Sequence, residues 1–119
     1  MASQPLLECS FLIPDRRDRK LSDGMRHRPD AWAWLDNALL AFAGATRAPN
    51  LYTGWYLDRD TGEQVRDRSR KYFVAIPRER VGELRRLLAA ACDKFGQKCI
   101  YVSVAGRVEF VEGVGDASA

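Results

Sequence analysis

The hydrophobic pattern of this chain switches between a repeat of about two residues and one of about 3.6, and the order of the switches limits what it can fold into. Residues 6–13 alternate, with Leu7, Cys9, Phe11 and Ile13 on one face and Glu8 and Ser10 on the other; Pro14 ends the strand. Pro29 and Asp30 then open a helix, because proline is tolerated in a first turn and an acid there complements the helix dipole. Trp32, Leu35, Leu39 and Phe42 follow at helical spacing, and Gly44 suits the left-handed position that stops a helix. Residues 51–57 and 65–76 predict two strands joined by a turn at Asp60-Thr61-Gly62, and Pro77 closes the second. A second helix puts Val81, Leu84, Leu88, Ala91 and Phe95 on one face and ends at Gly96. The last strand starts near Lys98, with Ile100, Val102 and Val104 alternating against Tyr101 and Ser103. Ala105-Gly106 either turns the chain into a short hairpin with Val108 and Phe110 or marks a bulge.

Strand, helix, strand, strand, helix, strand leaves few layouts once crossovers are right-handed. The expected fold class is α+β: a ferredoxin-like βαββαβ two-layer sandwich with an antiparallel four-stranded sheet. The 119 residues suffice for a single domain spanning 1–119, with 113–119 expected as a frayed tail. Hydrophobic residues at 46% and charged residues at 29% are ordinary for a globular chain, which excludes whole-chain disorder. A formal net charge of +3 neither demands nor excludes a nucleic-acid partner, so local charge must decide. Cys9, Cys92 and Cys99 make an odd count without a Cys-x-x-Cys pair, which points to reduced, buried thiols and a cytoplasmic setting. The N-terminal stretch does not read as a signal peptide, and no run approaches the roughly 20 apolar residues of a membrane helix.

The stretch from Leu51 to Ser103 resembles a family of small bacterial proteins known as a domain of unknown function. The residues that carry the likeness are Leu51-Tyr52-Thr53-Gly54-Trp55-Tyr56, the strand start Ser69-Arg70-Lys71, and Phe95-Gly96-Gln97 before the last strand. Cys99 departs from the small hydroxyl residue typical there, as does the basic first loop. The resemblance implies a ferredoxin-like fold and no activity.

No catalytic motif or cofactor fingerprint stands out, so no cofactor is expected. One histidine, His27, in a polar loop, reads as solvated rather than as part of a nucleophile system. With three scattered cysteines it matches no zinc spacing, so no metal site is expected. The charged loops say more. The expected topology carries Arg16, Arg17 and Arg19 toward Arg66, Arg68 and Arg70, an arrangement suited to phosphate, carboxylate or a nucleic-acid backbone. Asp15, Asp18, Asp58, Asp60 and Asp67 interleave with these arginines and could neutralise them, leaving only a solvated rim. The sheet face away from the helices is half polar and half aromatic. It either pairs with its copy in a homodimer or lines a pocket in which Glu8, Lys71 and Tyr101 are weak catalytic candidates, Glu8 and Lys71 as a charged pair. An RNA-recognition sheet is excluded by pleat, since Tyr72 and Phe73 are adjacent and point to opposite faces.

The expectation is therefore a small cytoplasmic binding or interaction protein, homodimeric through the open sheet face. A possible anionic ligand or nucleic acid would sit at the basic rim. The alternative is a small enzyme with its pocket on the open sheet face.

Overall fold

The computed structural model describes residues 5–113. The elements in chain order are β1 (Leu7–Pro14), α1 (Pro29–Leu39), β2 (Thr46–Arg47), β3 (Tyr52–Leu57), β4 (Gln64–Ile76), α2 (Val81–Lys94), β5 (Cys99–Val104) and β6 (Arg107–Glu112), with 3-10 turns at Leu40–Phe42 and Arg78–Arg80. All strands belong to one sheet in the order β2-β4-β1-β5-β6, and β3 also pairs with β4. Every pairing is antiparallel.

The expected four-stranded ferredoxin-like sandwich is not what forms. The sheet has six strands, and the reason lies in β4. Its 13 residues span about 43 Å of strand, whereas the 14 residues of α2 span only about 21 Å of helix. β1 covers only Ser69–Ile76 of it. On the other edge two separate strands share the length: β2 pairs at Tyr72 and Phe73, and β3 pairs from Gln64 to Ser69. The β3–β4 hairpin therefore runs past the helices as an arm, and every residue of β3 is exposed. At the opposite edge Ala105 and Gly106 both take positive φ, 50° and 85°, which gives a tight hairpin turn rather than a bulge and adds β6.

The helices cover one face. Cys9, Phe11, Ile13, Tyr72, Val74, Ile76, Ile100 and Val102 point from the sheet into a core closed by Leu35, Leu39, Leu84, Leu88, Ala91 and Phe95. Phe11 and Tyr72 stack across β1 and β4 with ring centroids 5.3 Å apart. Gly96 ends α2 with φ +59°, and a Cβ there would meet the Arg17 stem at 3.2 Å, so both conformation and space select glycine. The expected frayed tail lies outside the described residues from 114 onward; Gly113 is tied by its N–H to the Lys98 carbonyl at 3.4 Å. Among the described residues no helix is long and apolar enough to cross a membrane.

Candidate active site

Strand pleat decides where the charges of β4 go. Arg66, Arg68 and Arg70 alternate with Asp67, Ser69 and Lys71, so the arginines share the face of Tyr72 while Asp67 and Lys71 take the open face. The cleft beside the helices, about 630 Å³, is lined by Arg16, Arg26, Arg47, Arg66, Arg68 and Arg70 together with Asp15, residues 48–51 and the margin at Asp67. Four of the six arginines expected at the basic rim are thus brought together. Arg17 is not among them: it forks onto Asp23 with hydrogen bonds of 2.6 and 2.9 Å. Arg19 does not line the cleft either. None of the six lining arginines forms an ion pair among the described residues. Of the interleaved aspartates, Asp58 and Asp60 go elsewhere, holding Lys20 between them at 2.9 and 3.1 Å, while Asp15 lines the cleft without an ion pair among the described residues.

The open face is differently charged. Asp67 stands opposite Gly54 in the β3–β4 register, and Tyr52 and Tyr56 lie two residues to either side of that glycine on the same face. With no side chain at Gly54 and nothing within 4 Å of where its Cβ would be, a slot is left over the carboxylate between two exposed rings. Asp67 is half-buried and forms no ion pair among the described residues. Loss of hydration, reinforced by the charge of Asp18, pushes its carboxyl above the usual range. The Tyr56 hydroxyl is pushed up too, by burial and then by Asp67, Asp18 and Asp58, against the opposing charge of Lys20. A carboxylate held this way favours a proton or a cationic ligand.

The three sequence-derived catalytic candidates do not converge. Lys71 lies two residues from Ser69 on the open face, its ammonium 5.1 Å from the Tyr52 ring centre and 5.3 Å from that of Phe73. Glu8 pairs in register with Ala75, four residues further along β4, about 13 Å by strand rise, and forms no ion pair with Lys71. Tyr101 is on β5, edge-on to Phe110 of β6 at 5.8 Å. Sequence reasoning missed the Asp67 slot; the signal was a glycine between two tyrosines in a strand, facing an acid in the next.

His27 overturns its reading as a solvated loop residue. It is 8% exposed, set edge-on to Trp32 and Phe95, with Nε2 2.7 Å from the Pro14 carbonyl. Burial pulls its pKa down. Cys9 and Cys92 are buried and Cys99 is partly so; all are free thiols, and burial pushes Cys92 up to about 12, far from a reactive thiolate. No group of three His, Cys, Asp or Glu side chains placed to hold a metal occurs among the described residues.

No protein-family model matches the chain, and no curated protein matches it. Two solved structures do. A phage SAM lyase in complex with S-methyl-5′-thioadenosine superimposes with a TM-score of 0.68 at 12% identity, over 97% of this chain and 95% of that one. A phage SAM lyase in the apo state gives 0.54 at 14% identity, over 92% and 88%. The likeness is one of fold. The main functional expectation, a non-enzymatic binding protein, is not what these neighbours are: both are enzymes.

Proposed function

We propose that this chain is an enzyme that cleaves S-adenosylmethionine (SAM) at its sulfonium centre and releases S-methyl-5′-thioadenosine, working on the open sheet face. The observation that carries this reading is the unpaired Asp67 carboxylate facing Gly54 between Tyr52 and Tyr56. A sulfonium ligand calls for both parts of that slot: an opposite charge, and aromatic faces whose quadrupole attracts an onium group. SAM at neutral pH carries two cationic groups and one carboxylate. Asp67, with Asp18 near it, draws such a ligand to this face, while the arginine cleft on the other side of β4 repels it. Lys71, resting on Tyr52, is available to the substrate carboxylate.

The chemistry balances without an external oxidant or reductant. S-methyl-5′-thioadenosine keeps the methyl and adenosyl groups, so the bond that breaks joins sulfur to the amino-acid arm. Its electron pair goes to sulfur, which leaves as a neutral thioether. The carbon left behind is closed by the substrate's own carboxylate or by loss of a neighbouring proton to Asp67. The three free thiols support a reducing, cytoplasmic setting. At the other end of the open face, Phe110, 63% exposed, and Val108 flank Tyr101 and supply a contact for a second copy.

The test is to incubate the purified chain with SAM and follow S-methyl-5′-thioadenosine by chromatography, with proton NMR identifying the second product. Asp67→Asn should lower turnover roughly a hundredfold or more. No product from the wild type at millimolar SAM, or an Asp67→Asn variant as active as the wild type, would overturn the reading.

A further inference from the structure

Two polar atoms on the helix side of the sheet lack partners. Tyr72 is 2% exposed, its ring is stacked on Phe11, and its hydroxyl makes no hydrogen bond. His27 Nε2 faces a carbonyl, which can only accept, so that nitrogen carries the proton. Its Nδ1 is left as a bare acceptor without a partner. Native folds rarely leave buried polar atoms unpaired, so two orphans beside clefts call for partners from outside the chain, a water, an ion or a ligand.

Both residues border hollows. Tyr72 lines one of about 320 Å³ with Arg47 and Asp36. His27 lines one of about 510 Å³ with Trp32, Arg70 and Asp36. They adjoin each other at Asp36 and reach the arginine cleft through Arg47, Arg70 and Arg26. The Arg70 guanidinium lies 3.8 Å over the Trp32 ring, which fixes its plane and leaves its edge for an anion. Burial pushes the Tyr72 hydroxyl above its ordinary pKa, and Arg70 and Arg47 stand near enough to pull it back down, yet neither meets hydrogen-bond geometry on it. Arg26, Arg47 and Arg70 have no ion pair among the described residues.

We propose that this groove is a second ligand site, separate from the Asp67 slot, for a small molecule carrying a phosphate or pyrophosphate group. The phosphate oxygens sit among Arg26, Arg47 and Arg70 and accept the Tyr72 hydroxyl proton, while His27 Nδ1 accepts from an N–H or O–H of the remainder. One carboxylate would leave most of these guanidiniums uncompensated, whereas phosphate oxygens match several planar forks at once. A cationic substrate such as SAM is repelled here. The orphans lie in hollows of small-molecule size rather than on a ridge, which favours a nucleotide-sized ligand over a nucleic-acid backbone.

Calorimetric titration with pyrophosphate and ADP at fixed ionic strength tests the site. Both should bind the wild type, and Tyr72→Phe and Arg47→Gln should each weaken ADP by roughly tenfold or more. Binding of S-methyl-5′-thioadenosine, the probe of the open face, should be unchanged in both variants. Without ligand, Tyr72→Phe should melt no lower than the wild type, because it removes only an unpaired hydroxyl. The proposal is overturned if neither pyrophosphate nor ADP binds the wild type, or if ADP binds both variants equally well. It fails equally if Tyr72→Phe is unstable, since the hydroxyl then has a structural partner. A single-stranded oligonucleotide that binds more tightly than ADP and is weakened by the same substitutions would also overturn it.

Discussion

Phe95 ends the apolar face of α2 and is the hub of an aromatic cluster, so its truncation should be among the most damaging in the molecule. Its ring is fully buried, 4.8 Å from His27, 4.8 Å from Trp32 and 6.4 Å from Trp34 between centroids. Moving such a side chain out of water is worth about 1.5–3 kcal/mol. Phe95→Ala also leaves a cavity between α1 and the first loop, because His27 and Trp32 are held from elsewhere, His27 by Pro14 and Trp32 under Arg70. Cavity and transfer together give about 3–5 kcal/mol, and loss of several ring contacts places this site at the upper end. A domain of ordinary stability has only about 5–15 kcal/mol in total. With a urea slope of about 1.5 kcal/mol/M, the midpoint should fall by roughly 2–3 M, read by the fluorescence of Trp32 and Trp34. A loss below about 1 kcal/mol with an unchanged slope would refute the reasoning, for it would mean that the cluster closes over the gap or that the ring is not at its centre.

Leu88→Ala, in the middle of α2 and fully buried, should cost about 2–5 kcal/mol in the same denaturation assay, against under about 0.5 for an exposed stripe. For Asp67 the sign follows from its raised folded pKa: the folded state holds the proton more tightly than the unfolded chain, whose carboxyl titrates near 3.8. The wild type therefore loses stability as pH climbs from that value through the raised one, and Asp67→Asn, which does not titrate, should gain on it steadily toward neutral pH. Midpoints measured between pH 3 and 7 that diverge in the opposite sense would mean the carboxylate already has a cationic partner. Tyr101→Arg should shift the mass seen by light scattering from dimer to monomer, because it sets a charge beside exposed Phe110; a wild type that is monomeric at high micromolar concentration refutes the dimer.

Much of the local structure was legible because it depends on neighbours in sequence. The alternation of Leu7, Cys9, Phe11 and Ile13 needs only a strand with one buried face, and the strand formed there is Leu7–Pro14. Leu84, Leu88 and Ala91 needed only a helix over a core. Two residues of β2 are too few to carry a period; β3 was expected as a strand at 51–57, but all six of its residues are exposed, so it carries no inward-facing signature of where along β4 it pairs. Both strands form because β4 outruns its partners and its edge takes pairing wherever the chain returns.

The site divides along the same line. From the residues alone, Arg66-Asp67-Arg68 is a run of charges that cancel, and a basic rim beside it is as easily neutralised as free. Pleat undoes that cancellation by sending arginine and aspartate to opposite faces, where their side chains diverge and cannot close an ion pair. His27 was a loop histidine until Phe95, far away in sequence, closed over it. Gly54 was a break in a strand until register set it against Asp67. Sequence periodicity determined which residues would be strand, helix and core, since those depend on repeats a few residues long. Which charges meet, which polar atoms are left without a partner, and on which face a cation or an anion is welcome depend on cross-strand register and layer packing, and only the tertiary structure decided them.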